Sequence, residues 1–388
     1  VALLLNACAQ TGEKEQSVIV GAERTNDYLP LISGKRVAVV ANQTSVIRQT
    51  HIVDYLLHLG IDIKFVFAPE HGFRGLADAG EHVSGGVDEL TGLPIVSLYG
   101  KHKKPTAGEL NSVDLVIFDI QDVGVRFYTY ISTLHYVMEA CAENNRPLIV
   151  LDRPNPNGFY IDGPVLDTAF RSFVGMHQVP LVHGMTIAEY AQMINGEGWL
   201  KDGVRCDLKI IKCLNYSHTT KYQLPIKPSP NLPTYRSVLL YPSLGFFEGT
   251  FMSVARGTNF PFEAIGHPDY AAAPFEFTPH SVVGAKNPPY NGRLCRGIDL
   301  RNVSTDSLEN DARINLKWLI SSYQYFSKDS KFFNTFFEKL AGTDLLRKQI
   351  EQGVPEHEIR QVWEKDLSVF QNVRRKYLLY SDFDNISY

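Results

Sequence analysis

Three short polar clusters carry the chemical potential of this chain, and each begins where an apolar run stops. Ile63–Phe67 (IKFVF) passes through Ala68-Pro69 into Glu70 and His71. Asp114–Ile120 (DLVIFDI) contains Asp119 and runs into Gln121, Asp122 and then Arg126, while Leu148–Leu151 ends in Asp152, Arg153 and Asn155. Lys35–Ala41 adds Asn42 and Gln43 at the end of a further run. Carboxyls gathered over apolar surroundings repel one another, so one of them keeps its proton near neutral pH. A glycosidase's general acid needs that property. The same set could equally hold a divalent cation, with Asp119, Asp122 and Asp152 as oxygen ligands and His71 as a nitrogen ligand. That alternative is a metal-dependent phosphoesterase. Plainer roles stand beside both. Glu70 could cap the loop that follows it, Asp122 and Arg126 could form a local ion pair, and Asp152-Arg153-Pro154 could be an Asp-stabilised turn.

Several chemistries are argued against. There is no GxSxG and no evident serine–histidine pairing, which speaks against a serine hydrolase, and there is no P-loop. The first strand ends in Asn42-Gln43-Thr44 rather than a glycine fingerprint, so NAD or FAD is not expected, and no other cofactor is. A formal charge of -4 gives no reason to expect nucleic acid. Cys141, Cys206, Cys213 and Cys295 have no zinc-like spacing. A bridge between Cys206 and Cys213 across one strand is geometrically awkward, so buried free thiols are expected.

The elements that must position these residues alternate. Strands are expected at Lys35–Ala41, Ile63–Phe67, within Gly92–Leu98, and at Asp114–Ile120, Leu148–Leu151, Val179–Val182 and Leu208–Ile211. Helices are expected at Ile52–Leu59, Thr129–Glu143 and Thr186–Trp199. Such alternation gives βαβ units and a parallel sheet, the α/β class, Rossmann-like in rhythm. Right-handed crossovers put the polar strand ends on one edge, where open α/β sheets bind ligands. From Leu214 the texture changes. Pro225, Pro228, Pro230 and Pro233 make an extended linker. Strands near Val282 and Ile298 and helices at Asp306–Phe326, Lys331–Leu340 and Pro355–Asn372 then read as a smaller α+β domain. The basic run Lys101-His102-Lys103-Lys104 reads as a solvated loop. At the start, Val1–Cys8 resembles the end of a secretory h-region closing on a lipobox, with Cys8 as the lipidated residue and Ala9–Gln16 as a polar tether. The division is therefore 1–16 signal remnant and tether, 17–213 catalytic domain, and 214–388 accessory domain completing a cleft.

Five blocks occur in order: APEHGFRG (from Ala68), FDIQDVGVRFYTY (from Phe118), LDRPNPNG (from Leu151), PSPNLPT (from Pro228) and FFEGTFMSVARGTNFPFEAIGHP (from Phe246). Together they resemble the bacterial family once known as DUF1343, the exo-β-N-acetylmuramidases of the NamZ type. The resemblance implies an exo-lytic hydrolase of terminal β-linked N-acetylmuramic acid at the non-reducing ends of peptidoglycan fragments, with a Rossmann-like catalytic domain, an accessory domain and a cleft between them. It puts the catalytic acid on Glu70, with His71, Asp119 and Asp122 as candidates for the second group and Asp152 behind them. Asn42, Gln121, Tyr128 and Asn155 join the substrate-binding set, and Asn231, Glu248, Arg256 and Thr258 are expected to line the cleft from the second domain. A bidentate arginine is the natural reader of the lactyl carboxylate, and Arg126, Arg74 and Arg256 are the candidates. Tyr128 and Tyr130 are candidates for stacking on the sugar. A lipobox fits a periplasmic or cell-surface enzyme held at the membrane by a lipid on Cys8, the alternative being a cell-wall-binding lipoprotein without turnover.

Overall fold

The computed structural model describes residues 17–74, 85–326 and 331–383. Cys8, the tether and Gly75 lie outside the described residues. Seven strands form the main sheet: β1 (Arg36–Ala41), β2 (Asp62–Ala68), β3 (Gly86–Val87), β4 (Pro94–Ser97), β5 (Leu115–Asp119), β6 (Leu148–Leu151) and β7 (Leu208–Ile211). Their order is β3-β4-β2-β1-β5-β6-β7. Every pairing is parallel except the short β3 edge, which is antiparallel to β4.

Alternate residues of the strands point to opposite faces, and both faces are apolar. Val37, Val39 and Ile117 pack with Tyr28 and Ile32 of α1 (Thr25–Ile32) and with Ile52, Val53 and Leu56 of α2 (Ile52–His58). Ala38, Val40, Val116 and Phe118 face α3 (Ala107–Asn111), α4 (Tyr130–Glu143) and α5 (Ile187–Gly196). That second cluster continues without a break into the C-terminal half.

The C-terminal half holds α6 (Tyr235–Leu244), an antiparallel sheet of β8 (Ala264–His267), β9 (Phe275–Phe277) and β10 (Cys295–Asp299), and then α7 (Thr305–Asp311), α8 (Lys317–Tyr325), α9 (Phe337–Ala341), α10 (Leu345–Glu351) and α11 (Glu356–Arg374). Helix α6 follows directly on the proline-rich linker, where no helix was expected. Thr234 caps it, accepting from the Ser237 N–H. Pro242 cannot donate to the Val238 carbonyl four residues earlier, and the Asn157 amide takes that carbonyl instead at 3.3 Å.

Other expectations shift for local reasons. Val179–Val182 joins no sheet, since Val182 makes only isolated bridges to Val125 and Asp162. The helix expected over 306–326 breaks at Ala312, which is left-handed. Val282 turns back on Ala285, and the strand near it is β9. Cys141, Cys206, Cys213 and Cys295 are buried free thiols.

Several polar residues assigned to the site are buried and hydrogen-bonded within the fold. Strand ends leave backbone groups without ladder partners, and buried ones must be paired elsewhere. Asp119, fully buried, grips the Arg153 guanidinium at 2.6 and 2.9 Å. Asn42 bonds the Thr44 N–H and the Tyr130 hydroxyl. Gln121 donates to the carbonyls of Asp122 and Pro154. Asn155 joins Met185 to Asn157 and lies so close to Gly124 that a Cβ there would sit 2.3 Å from its amide. Asp152 accepts from Thr186, Ala188 and Tyr380, tying β6 to the start of α5 and to the C-terminal segment.

Arg126 makes no ion pair with Asp122. Its guanidinium is fully buried and donates to the carbonyls of Pro164, Val179, Leu340 and Ala341 at 2.6–3.1 Å. Burial brings its pKa down to about 9. Replacing it leaves those carbonyls unpaired, at about 1–3 kcal/mol for each that finds no water. Arg126→Met is therefore expected to lower the urea-unfolding free energy by at least ~3 kcal/mol. A change within ~0.5 kcal/mol would contradict this.

Burial also pushes the carboxyls of Asp122 and Asp152 up to about 7 from 3.8. The unfolded chain then gives up these protons at lower pH than the folded one. Their contribution is complete below about pH 4 and is lost as pH rises towards about 7. Stability should fall across that window by a few kcal/mol. Asp122→Asn should flatten the slope, as read by urea midpoints at pH 5 and pH 7.5. An unchanged slope would show that Asp122 does not keep its proton in the fold.

Candidate active site

β2 delivers Glu70. Its last residue, Ala68, still accepts from the Leu98 N–H at 2.8 Å, and Pro69 then ends the ladder. The chain turns at once, with the Gly72 N–H on the Pro69 carbonyl. His71 and Gly72 are left-handed (φ +69° and +75°). That conformation is costly for a non-glycine residue and recurs where a site dictates the backbone. It leaves Glu70 half-buried on the rim of a cleft of about 470 Å³.

A hydroxyl holds the carboxylate and a phenol stands beside it. Thr129 Oγ1, at the N-cap of α4, donates to Glu70 Oε2 at 2.7 Å. The Tyr99 hydroxyl, beyond β4, lies near enough on the cleft lining to feel the Glu70 charge. Burial first, and the Glu70 charge second, raise the Tyr99 phenol well above its ordinary range, so it stays a donor.

The cleft walls come from both halves of the chain. Phe127, Tyr128 and Thr129 follow β5, Tyr99 and Lys103 follow β4, and Phe173 lies between β6 and α5. Opposite stand Ser229, Asn231, Tyr241, Glu248, Arg256, Phe262 and Phe336. Gly245, at the end of α6, lets the second half approach, since a Cβ there would lie 2.2 Å from the Phe127 ring. Tyr128 offers a ring edge-on to Tyr130 and Tyr241, with its hydroxyl fixed on the Pro228 carbonyl at 2.8 Å. Glu248 and Arg256 form an ion pair within the cleft.

Contrary to the sequence-based exclusion, a serine and a histidine do meet. His71 Nε2 lies 3.2 Å from Ser229 Oγ, which also accepts from the Asn231 N–H. This contact fastens the proline-rich linker to the loop that carries Glu70.

Of the residues expected at the site, the cleft therefore gathers Glu70, His71, Tyr128, Asn231, Glu248 and Arg256. Asn231 spends its amide N–H on the Gly284 carbonyl. Asn42, Asp119, Gln121, Asp122, Arg126, Asp152 and Asn155 are buried outside the cleft lining, as is the Tyr130 ring. Arg74 turns to Asp88 and Asp54, and the Thr258 hydroxyl caps its own turn on the Ala255 carbonyl.

Tyr99, Thr129, Lys103, Phe173, Ser229, Tyr241, Phe262 and Phe336 were not anticipated. Tyr99 had a legible signal, its position directly after a strand. The far-wall aromatics had none, since their place depends on how the halves pack. The metal-binding alternative loses its ligands here. Asp119 and Asp152 are each engaged separately, and no metal-like cluster occurs among the described residues.

The chain matches two family models, exo-β-N-acetylmuramidase NamZ N-terminal over residues 37–236 and C-terminal over residues 239–380. It is 40% identical to the peptidoglycan β-N-acetylmuramidase NamZ of Bacillus subtilis (strain 168), covering 91% of this chain and 89% of that protein. A crystal structure of a DUF1343 family protein from Bacteroides fragilis is 45% identical, covers 95% of this chain and all of the other, and superposes with a TM-score of 0.88. A second from the same organism is 29% identical with a TM-score of 0.80, covering 94% of this chain and 99% of the other. With both models matched over most of its length and the fold shared throughout, the chain belongs to the NamZ (DUF1343) family.

Proposed function

We propose that this protein is an exo-acting glycosidase that releases terminal β-linked N-acetylmuramic acid (MurNAc) from the non-reducing ends of peptidoglycan fragments, as in cell-wall turnover. The observation that carries the reading is Glu70. It is a carboxylate at a strand's end, held by the Thr129 hydroxyl beside the Tyr99 phenol and facing an aromatic-walled cleft of sugar dimensions. The family membership of both halves and the 40% identical NamZ support the choice of sugar.

In this mechanism Glu70 transfers the proton to the glycosidic oxygen. Thr129 and Tyr99 fix the carboxyl's orientation, and the rings of Tyr128, Tyr241 and Phe262 hold the sugar. Glu248 is a second carboxylate in the cleft, and Arg256 engages it. Attack at the anomeric carbon is open to Glu248, to a water or to the substrate's own 2-acetamido oxygen. His71 lies on the same wall to orient either of the last two.

The N-terminal Val1–Cys8 pattern supports a further reading, that the enzyme works at a cell-envelope surface, anchored through a lipid on Cys8. No described helix is long and apolar enough to cross a membrane. A Cys8→Ala variant expressed from the full gene should move from the membrane fraction to the soluble envelope fraction.

Glu70→Gln, assayed on a chromogenic MurNAc β-glycoside, is expected to lose at least ~100-fold in kcat. Near wild-type turnover by the folded variant would remove Glu70 from the reaction. Thr129→Val and Tyr99→Phe should each lower kcat by about tenfold with KM little changed, because they act on the acid and not on the sugar. A rise in KM at constant kcat would make them binding residues instead.

A further inference from the structure

The basic run after β4 divides its labour unequally. Lys104 bridges Glu139 and Glu143 at 2.6 and 2.7 Å, His102 lies 3.4 Å from Glu109, and Lys101 is exposed. Lys103 alone of the four lines the cleft. Its ammonium rests over the Phe173 ring, 4.6 Å from the centroid, and makes no ion pair among the described residues. Phe173 is in turn set by Tyr99, edge-on at 6.0 Å, and by Tyr136, stacked at 6.3 Å. A ring face attracts a cation without using its N–H donors, so Lys103 is held in place with its hydrogen bonds still to give.

Resting on the muramidase reading above, we infer that Lys103 recognises the lactyl carboxylate that distinguishes N-acetylmuramic acid from N-acetylglucosamine (GlcNAc). The argument is one of charge. The cleft carries Glu70 and Glu248 as acids, and Arg256 is matched by Glu248. An incoming carboxylate is favoured by a cation there, and among the described lining residues Lys103 is the lysine or arginine with no carboxylate opposite it. Of the three arginines expected in this role, Arg256 is in the cleft but already paired with Glu248, and the other two are engaged elsewhere. Arg126 is buried on carbonyls, and Arg74 sits on Asp88. A lysine reads the group as a point charge, whereas an arginine would add bidentate geometry.

The test is calorimetric binding of free MurNAc and free GlcNAc to the wild type, Lys103→Met and Lys103→Arg, alongside kcat/KM on the two chromogenic β-glycosides. Lys103→Met should weaken MurNAc binding at least about tenfold while leaving GlcNAc unchanged, and Lys103→Arg should retain most of the preference. Equal weakening for both sugars, no weakening, or a wild type without preference for MurNAc would each overturn the assignment. Should Lys103-dependent preference in binding occur in a protein that releases no sugar, the carboxylate reader stands and the hydrolase reading falls. Should MurNAc be released with an unchanged kcat/KM ratio in Lys103→Met, the hydrolase stands and Lys103 is excluded.

Discussion

A single buried guanidinium sets how the two halves of this molecule face each other. Arg126 donates to carbonyls on both sides of the junction, Pro164 and Val179 from the sheet half and Leu340 and Ala341 at the end of α9. A helix's last carbonyls carry partial negative charge and lack partners along the helix. A cation placed there offsets part of its own desolvation. Burial nonetheless lowers its affinity for a proton, the sign that this position is held by the fold around it. Phe127, Tyr128 and Thr129 follow directly in sequence, so the residue that docks the second half also fixes the wall that holds Glu70. Stability and site geometry share one anchor.

The sheet explains why the cleft lies where it does. Strand order reverses around β1, with β2 and β4 on one side and β5, β6 and β7 on the other. In an open α/β sheet the crevice at such a reversal is the usual ligand site. Here it is filled by the protein's own polar groups. Arg153 clamps Asp119, Ser45 donates to the Asp119 carbonyl, and Asn42 bonds the Tyr130 hydroxyl. With that crevice closed, the accessible strand ends are those of β2, β4 and β5. The proline-rich linker crosses above them, held by Gln43 and Tyr128 on the Pro228 carbonyl and by His71 on Ser229.

The left-handed pair His71-Gly72 shows how local strain serves the site. Continuing in extended backbone would carry the chain beyond β2 and away from the cleft. The sharp reversal keeps Glu70 within reach of Thr129 and Tyr99, and its cost at His71 is offset by that residue's contact with Ser229. Most of the energy that keeps this arrangement rigid lies below it, in the apolar cluster running from Phe67 and Phe118 through Phe127 and Phe246 to Phe337.

The sequence by itself determined six of the sheet's seven strands and the place of Glu70 just past one of them. Apolar runs of four to seven residues ended by Pro69, by Gln121 or by Asp152 are local facts, and parallel strands buried on both faces advertise themselves. It also determined the family, because the ordered blocks preserve both the turns and the walls. What it could not determine was which polar strand-end residues meet solvent. Asp119, Asp152, Asn155 and Arg126 have the composition of a site and the burial of a core. The difference arises from partners far along the chain: Arg153, Tyr380, Met185 and the end of α9. Conversely, Lys103 has the composition of a solvated loop and a place in the cleft, because Phe173, seventy positions on, supplies the ring it rests on. A side chain's neighbours within a turn are written in the sequence, whereas its neighbours across a packed interface exist only once the chain has folded, and those distant contacts decide whether a charge is buried or presented.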